Sequence, residues 1–440
     1  MSDFNRRDLL KTGISGAAFV AALDAALLGP ASATDAPRRG GTLSYAQLSA
    51  NRRAGGPNNH KHPYFIVDAN TKPIWSTPTW VNPNLGWELE VATKVEPADD
   101  KLNVWDMTLR EGVMFHDMTE MTAADAVASF EYHRREAPFA RQITKVEAIG
   151  KYGVRFTLDA GNAEFPYVLA EYNSPIMKAG PLETIGLDGI GTGPFRIVQS
   201  DPNRLMILER FEHYWRSGLP HLDRIEIHNR EGQQESALNG LRSGQFDAVM
   251  NIDGRAAVQF QNDPNFEIET ARGGYTFVIQ LPKHPGNPFL DKRVRQAFAY
   301  AIDREAIVRV AYSGRFGWVG NDSHLMVTDS SFVPRPDGRD LVKARRLLAE
   351  AGFPNGINLG TLYWSPQLPE AGRYFQVLQQ SVREAGITLA IEERPNDGYI
   401  QFRTGNNDLS QGNFHKFAMT AVGSRNPGIS LFRMRGAFVE

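Results

Sequence analysis

The stretch Phe289–Val308 (FLDKRVRQAFAYAIDREAIV) constrains the fold of this chain more than any other. Asp291 and Asp303 each stand directly before a run in which apolar residues recur every three or four positions, and aspartate is a preferred helix cap. The apolar positions of the first run are Val294, Ala297, Phe298, Ala301 and Ile302. This spacing predicts two consecutive amphipathic helices that lie on a core.

Strand and helix patterns alternate along the rest of the chain. Alternating apolar residues predict strands at 42–46, 102–109, 154–158, 195–198, 206–209, 222–227, 246–250, 359–363 and 387–391. Helical spacing predicts helices after Thr122 and at 233–242, 340–351 and 374–385. The order strand, helix, strand occurs twice, at 222–250 and at 359–391, and predicts parallel strands with right-handed crossovers. The predicted fold class is therefore α/β.

Length and composition exclude several classes of function. A chain of 440 residues suggests two or three domains. Its formal net charge of −2 gives no electrostatic reason to expect nucleic acid or an anionic membrane as a partner. Because the sequence has no cysteine, disulfides, thiolate metal sites and a cysteine nucleophile are excluded together.

Residues 1–33 have the pattern of an export signal. Arg6, Arg7 and Lys11 resemble a twin-arginine signal, an apolar run follows at 14–28, and Ala31–Ala33 forms an A-x-A cleavage site. The apolar run is too short for a comfortable membrane span, so a permanent anchor is not expected. The pattern predicts export by the twin-arginine machinery and a periplasmic location.

Six blocks carry a resemblance to a known family. They are 109–117 with 122–127, 191–195, 208–215, 241–247, 289–308 and 347–354. In this order they resemble the extracytoplasmic solute-binding proteins of peptide/nickel-type ABC transporters, known as family 5. The resemblance implies two α/β lobes around a central cleft, with an extra α/β domain. By position, residues 34–55 and 185–271 would form the first lobe, 56–184 the extra domain and 272–440 the second lobe, with a hinge at 271–274.

The same resemblance implies the function. Such a protein is a periplasmic receptor that binds a small peptide-like or other small organic solute and delivers it to the permease and ATPase subunits of an ABC importer. It acts as a monomer, without catalysis and without a cofactor. Two alternatives stay open: a twin-arginine-exported enzyme with a bound cofactor, and a truncated homologue that does not transport. The second arises because the chain stops at Glu440, before the point where the family normally returns to its first lobe.

The sequence departs from the family at two places besides its end. Met118 stands where the family usually has a glycine, which puts a turn with positive φ in doubt. In dipeptide-binding members, a late loop of the second lobe carries an aspartate that anchors the peptide amino group. The matching loop here has Arg425 and Asn426, which favours a ligand group with negative charge or hydrogen-bond acceptors.

Three aromatic residues complete the predicted ligand site. Tyr275, Trp364 and Phe414 stand at strand ends or near the Arg425 loop, where their rings can stack on an apolar or planar ligand. A core position is the more common role for each ring taken alone. The predicted ligand contacts are thus Tyr275, Trp364, Phe414, Arg425 and Asn426.

Other motifs favour structural interpretations, so that no catalytic residue is assigned. The adjacent His116 and Asp117 are interpreted as part of a turn, and the Gly191–Gly193 cluster lacks the spacing of a phosphate loop. His60 and His62, with His116 and His133, match no zinc spacing. No metal ligand is assigned, although relatives that bind nickel complexes leave that question open.

Overall fold

The structure is a computed structural model that forms two compact units, residues 1–251 and 252–440. It describes residues 38–48, 72–82, 86–137, 140–171, 174–201, 204–230, 232–270, 275–322, 327, 332–335, 337–365, 370–395, 399, 402 and 416–423. The predicted export signal at 1–33 and the predicted hinge at 271–274 lie outside these residues.

The first unit contains eleven described strands and three described helices. Its strands are β1 (Thr42–Gln47), β2 (Thr79–Val81), β3 (Trp87–Leu89), β4 (Ala92–Pro97), β5 (Val104–Leu109), β6 (Ile143–Ile149), β7 (Gly153–Leu158), β8 (Phe195–Asp201), β9 (Leu205–Arg210), β10 (Arg224–Asn229) and β11 (Ala248–Met250). Its helices are α1 (Ala123–Glu136), α2 (Phe165–Val168) and α3 (Gln234–Ser243).

The described strands of the first unit form three sheets. A five-stranded sheet has the order β11-β1-β10-β9-β8, a four-stranded antiparallel sheet has the order β4-β5-β7-β6, and β2 pairs with β3. The predicted parallel strands β10 and β11 share a direction, but β1 lies between them and pairs with both. This central position fits the burial of Leu43 and Tyr45 on β1. The crossover through α3 therefore passes over β1.

The second unit contains four strands and five helices among the described residues. Its strands are β12 (Tyr275–Gln280), β13 (Ile357–Trp364), β14 (Ile387–Glu393) and β15 (Ala418–Gly423). Its helices are α4 (Gly254–Phe260), α5 (Lys292–Ala301), α6 (Arg304–Ala311), α7 (Leu341–Glu350) and α8 (Ala371–Arg383), and Pro288–Leu290 forms a 3₁₀ turn. The sheet order is β12-β15-β13-β14, and β13 pairs with β14 in parallel, as predicted.

The predicted pair of amphipathic helices is confirmed as α5 and α6. The Asp291 carboxylate accepts a hydrogen bond from the backbone N–H of Arg293 at 2.8 Å, and the Asp303 carboxylate accepts one from Ala306 at 2.8 Å. All five apolar positions predicted for the first helix are buried in the core of this unit. The helices thus begin where their caps satisfy free N–H groups, and they are held by the apolar face that the sequence displays.

Met118 keeps the turn that its side chain was expected to disfavour. Its φ is 68°, in the left-handed region, its N–H donates to the Phe115 carbonyl at 2.9 Å, and its side chain is 46% exposed. For a residue with a Cβ this conformation costs about 1 kcal/mol, whereas glycine adopts it freely.

We expect Met118→Gly to raise the free energy of unfolding by about 1 kcal/mol, because it relieves this backbone cost at an exposed side chain. Chemical denaturation followed by circular dichroism measures the change. Met118→Ala is the matched control, since it removes the same long side chain but keeps the Cβ. Equal stability of the glycine and alanine variants would contradict the argument.

Candidate functional site

The carboxyl ends of three strands meet at one edge of the sheet in the second unit. β13, β14 and β15 run in the same direction, whereas β12 runs antiparallel to β15 and therefore begins at this edge. In open α/β sheets, ligands bind outside the carboxyl ends of the strands. This edge, called the carboxyl edge below, is the candidate site.

Tyr275, a predicted ligand contact, begins β12 at the carboxyl edge. Its backbone stands opposite Gly423 in the pairing of β12 with β15. Gly423 is the last described residue before the segment that carries Arg425 and Asn426. The register therefore brings the backbone of Tyr275 next to the point where that segment starts. Phe414, Arg425 and Asn426 themselves lie outside the described residues.

Trp364, another predicted contact, ends β13 at the same edge. Its side chain is only 8% exposed, and its ring lies 5.5 Å from the ring of Phe375 on α8, tilted by 32°. The ring therefore belongs to the hydrophobic core between β13 and α8. A contact between Trp364 and a ligand stays a prediction.

Three charged residues lie near the first turn of α8. Arg373 donates from Nη2 to Oδ2 of Asp253 at 2.8 Å, and Oδ1 of Asp253 accepts from the N–H of Ala256 and so caps α4. Glu370, which directly precedes α8, is 8% exposed. Burial raises the pKa of Glu370 to about 7, and the neighbouring Asp253 carboxylate adds to that rise while Arg373 opposes it. Glu370 is therefore a carboxyl group that titrates near neutral pH.

A basic–aromatic cluster, formed by Tyr363, Arg394, Phe402 and Lys416, lies where β13 and β14 end. The guanidinium carbon of Arg394 is 5.5 Å from the ring centroid of Tyr363 and 4.7 Å from that of Phe402. The ammonium of Lys416 is 5.6 Å from the same Phe402 centroid. The backbone N–H of Arg394 donates to the carbonyl of Trp364 at 2.7 Å. None of these four residues was among the predicted contacts.

A cavity of about 580 Å³ in the first unit is a weaker candidate, although arginines line it. Arg210 forms ion pairs with Asp223 at 2.7 Å and with Glu212 at 3.1 Å. The guanidinium of Arg216 lies 4.7 Å from the ring centroid of Trp215. Because these groups contact one another, they stabilise the loop that lines the cavity.

The histidine and glycine motifs of the first unit, each interpreted from the sequence as a turn, are joined by hydrogen bonds. Nδ1 of His116 accepts from the N–H of Gly191 at 3.2 Å, and Nε2 lies 3.0 Å from the Gly193 carbonyl. Burial lowers the pKa of His116 to about 4, so the neutral ring accepts at one nitrogen and donates at the other. Asp117 pairs with Lys178 instead. A Cβ on Gly191 would lie 1.9 Å from a backbone carbonyl oxygen of the neighbouring segment, so this glycine permits a close backbone approach.

The described part of the chain holds neither a metal cluster nor a membrane-spanning helix. It contains no group of three or more His, Cys, Asp or Glu side chains arranged to hold a metal ion. His60 and His62 lie outside it. No helix within the described ranges has both the length and the apolar character needed to cross a membrane.

Comparison with known proteins gives one consistent family. The family model "Bacterial extracellular solute-binding proteins, family 5 Middle" matches residues 87–434. The glutathione-binding protein GsiB of Escherichia coli (strain K12) is 30% identical over 305 residues, which cover 67% of this chain and 58% of that protein. The chain thus matches less than two thirds of the length of this curated relative.

Two solved structures have a similar fold. The periplasmic binding protein DppA from Helicobacter pylori, in complex with the peptide STSA, has a TM-score of 0.74 at 21% identity and covers 90% of this chain and 81% of its own. NikA from Staphylococcus aureus, in complex with Ni(L-His)2, has a TM-score of 0.71 at 18% identity. The match covers 89% of this chain and 81% of the NikA chain. The predicted α/β periplasmic-binding-protein fold is confirmed.

Proposed function

Because the chain belongs to the bacterial extracellular solute-binding proteins of family 5, we propose that it is the solute receptor of an ABC importer. In this role it binds a small solute without chemical change and delivers it to the permease and ATPase subunits. The observation that carries the proposal is the family match over residues 87–434, which includes all four strands of the candidate carboxyl edge.

The ligand that fits best is a short, anionic, peptide-like solute. The relative GsiB is named for glutathione, and DppA is described with the peptide STSA. Glutathione is a small peptide that carries more than one carboxylate. Arg425 and Asn426 suit a group of that kind, since guanidinium and amide groups donate hydrogen bonds to carboxylates. Tyr275, Trp364 and Phe414 would contact the rest of the solute.

The location and organisation follow from the same proposal. Residues 1–33 would direct the chain through the twin-arginine machinery to the periplasm, where the mature protein acts as a monomer. Residues 34–55 and 185–271 would form the first lobe, 56–184 the extra domain and 272–440 the second lobe. The five-stranded sheet supports this division, because β1 pairs with β10 and β11 across a long sequence separation.

Identification of a co-purified ligand tests the receptor proposal directly. The protein is purified after expression in a bacterial periplasm, denatured, and the released small molecules are identified by mass spectrometry. We expect a small peptide or organic acid in a ratio close to one per chain. A tightly held redox cofactor, or turnover of the bound compound, would contradict the receptor proposal and favour an exported enzyme.

We expect Arg425→Ala to weaken glutathione binding about tenfold, because a charge-assisted hydrogen bond to a carboxylate would be lost. Titration calorimetry at constant ionic strength measures the dissociation constant. Arg309→Ala, which removes an exposed arginine from α6 in the same unit, is the matched control and should bind like the unmodified chain. Unchanged affinity of the Arg425 variant would remove this residue from the site.

A further inference from the structure

The basic–aromatic cluster concentrates positive charge around one ring. Arg394 and Lys416 both lie close to the centroid of Phe402, at 4.7 and 5.6 Å, so their charged groups are about 10 Å apart at most. At about 0.1 M salt that separation is at most about one Debye length, so the repulsion between the two charges is only partly screened. Each is attracted to the negative face of the ring, which holds them together despite that repulsion.

The acidic side chains near the cluster balance only part of this charge. Glu392 forms an ion pair with Nη2 of Arg394 at 2.6 Å. Within the residues that the structure describes, Lys416 has no ion-pair partner, and Nε of Arg394 is buried without a hydrogen-bond acceptor. Arg394, Lys416 and Glu392 taken together therefore carry one excess positive charge. Arg394 and Lys416 are each only partly buried, so a small solute has access to them.

The position and rigidity of Arg394 suit recognition of a ligand. It directly follows β14, and its backbone is fixed by the hydrogen bond to Trp364 at the end of β13. Its guanidinium lies against the rings of Tyr363 and Phe402. These two rings pack edge to face, with their centroids 4.9 Å apart. A planar guanidinium fixed in this way loses little conformational entropy when it binds a carboxylate.

We propose that Arg394 and Lys416 together bind a carboxylate of the transported solute, with the Phe402 ring as the platform that holds both cations. A bound carboxylate neutralises this excess charge and weakens the repulsion between the two cations. The assignment rests on the proposed receptor function, and it adds a second point of anion recognition at residues distinct from Arg425. The class of ligand is a solute with at least one carboxylate at this position.

Calorimetric titration with glutathione tests the assignment in the full chain. Arg394→Gln and Lys416→Gln should each weaken binding about tenfold and reduce its dependence on salt, because each removes one of the two positive charges. Arg383→Gln is the matched control, since it removes an exposed arginine from α8 in the same unit. Equal affinity of all three variants and the unmodified chain would overturn the proposal.

A second probe separates this proposal from the peptide-receptor function. Thermal unfolding is measured with glutarate and with its neutral diamide at equal ionic strength. Glutarate should raise the melting temperature of the unmodified chain and of Arg383→Gln, but not that of Arg394→Gln or Lys416→Gln, and the diamide should raise none. If glutathione does not bind while this glutarate pattern holds, the carboxylate site stands and the peptide ligand is wrong. A response to glutarate that is the same in all variants, or absent from all, would overturn the carboxylate site.

Discussion

Trp364→Ala should lower the free energy of unfolding by about 3–5 kcal/mol, the usual cost of deleting a buried aromatic side chain. The ring is 8% exposed and packs on Phe375, and its outer edge lies 3.8 Å from the place that a Cβ on Gly372 would take. Because β13 and α8 are both held in the core of the second unit, the space left by the ring cannot collapse completely. Denaturant unfolding followed by far-UV circular dichroism measures the loss.

Two further variants separate packing from ligand contact at this position. Trp364→Phe keeps a ring against Phe375 and should recover most of the lost stability. Trp318→Ala removes a tryptophan that is 43% exposed in the same unit, and it should cost much less. If Trp364 acted mainly on the ligand, Trp364→Ala would stay within about 0.5 kcal/mol of the unmodified stability while ligand affinity fell.

The burial of the Trp364 ring depends on a local change within β13 that the sequence pattern does not predict. Along β13 the buried side chains are first Ile357 and Leu359, and then Leu362 and Trp364, so the buried face changes within the strand. The change coincides with a shift in the pairing register between 358 and 361, where Gly360 has a φ of 80°. A bulge of this kind moves every later side chain to the opposite face. A pattern of strictly alternating apolar and polar residues does not predict this bulge. The glycine within the strand is the one local indication of it.

Structural features that depend on neighbouring residues could be predicted from the sequence. Features that depend on contacts between residues far apart in sequence could not. The aspartate caps of α5 and α6 depend on a few adjacent positions, and so does Gly352, which follows α7 with a φ of 93°. By contrast, the insertion of β1 between β10 and β11 depends on a strand from the start of the chain. The cluster around Phe402 likewise forms only because residues far apart in sequence meet where β13 and β14 end. In the sequence, the only indication that Arg394 could contact a ligand is its position directly after a predicted strand.

Glu370→Gln should become progressively more stable than the unmodified chain as the pH rises, by about 3 kcal/mol between about pH 4.5 and 8. Burial raises the pKa of Glu370 from its ordinary 4.5 to about 7 in the folded state. Between these two values the folded state holds a proton that the unfolded state has released. The unmodified chain therefore loses about 1.4 kcal/mol of stability for each pH unit across this window, and the loss levels off above about pH 7.

Glutamine removes this dependence because it is neutral in both states and has nearly the same shape. A comparison with the unmodified chain at each pH is required, since the buried His116 and His133 have pKa values lowered to about 4 and make stability rise between pH 4 and their ordinary 6.5. That contribution is common to both proteins and cancels in their difference. Denaturant unfolding at several pH values therefore isolates the effect of Glu370.

The neighbours of Glu370 determine how the outcome is interpreted. Asp253 raises the cost of a second negative charge at this place, while Arg373 is already committed to Asp253 at 2.8 Å. Glu393→Gln, which removes an exposed carboxyl at the end of β14, serves as the control for the loss of one negative charge. A stability difference between Glu370→Gln and the unmodified chain that stays constant across the same pH range would mean that Glu370 ionises normally. In that case, Arg373 must neutralise both carboxylates, and the charge balance near α8 differs from the one described.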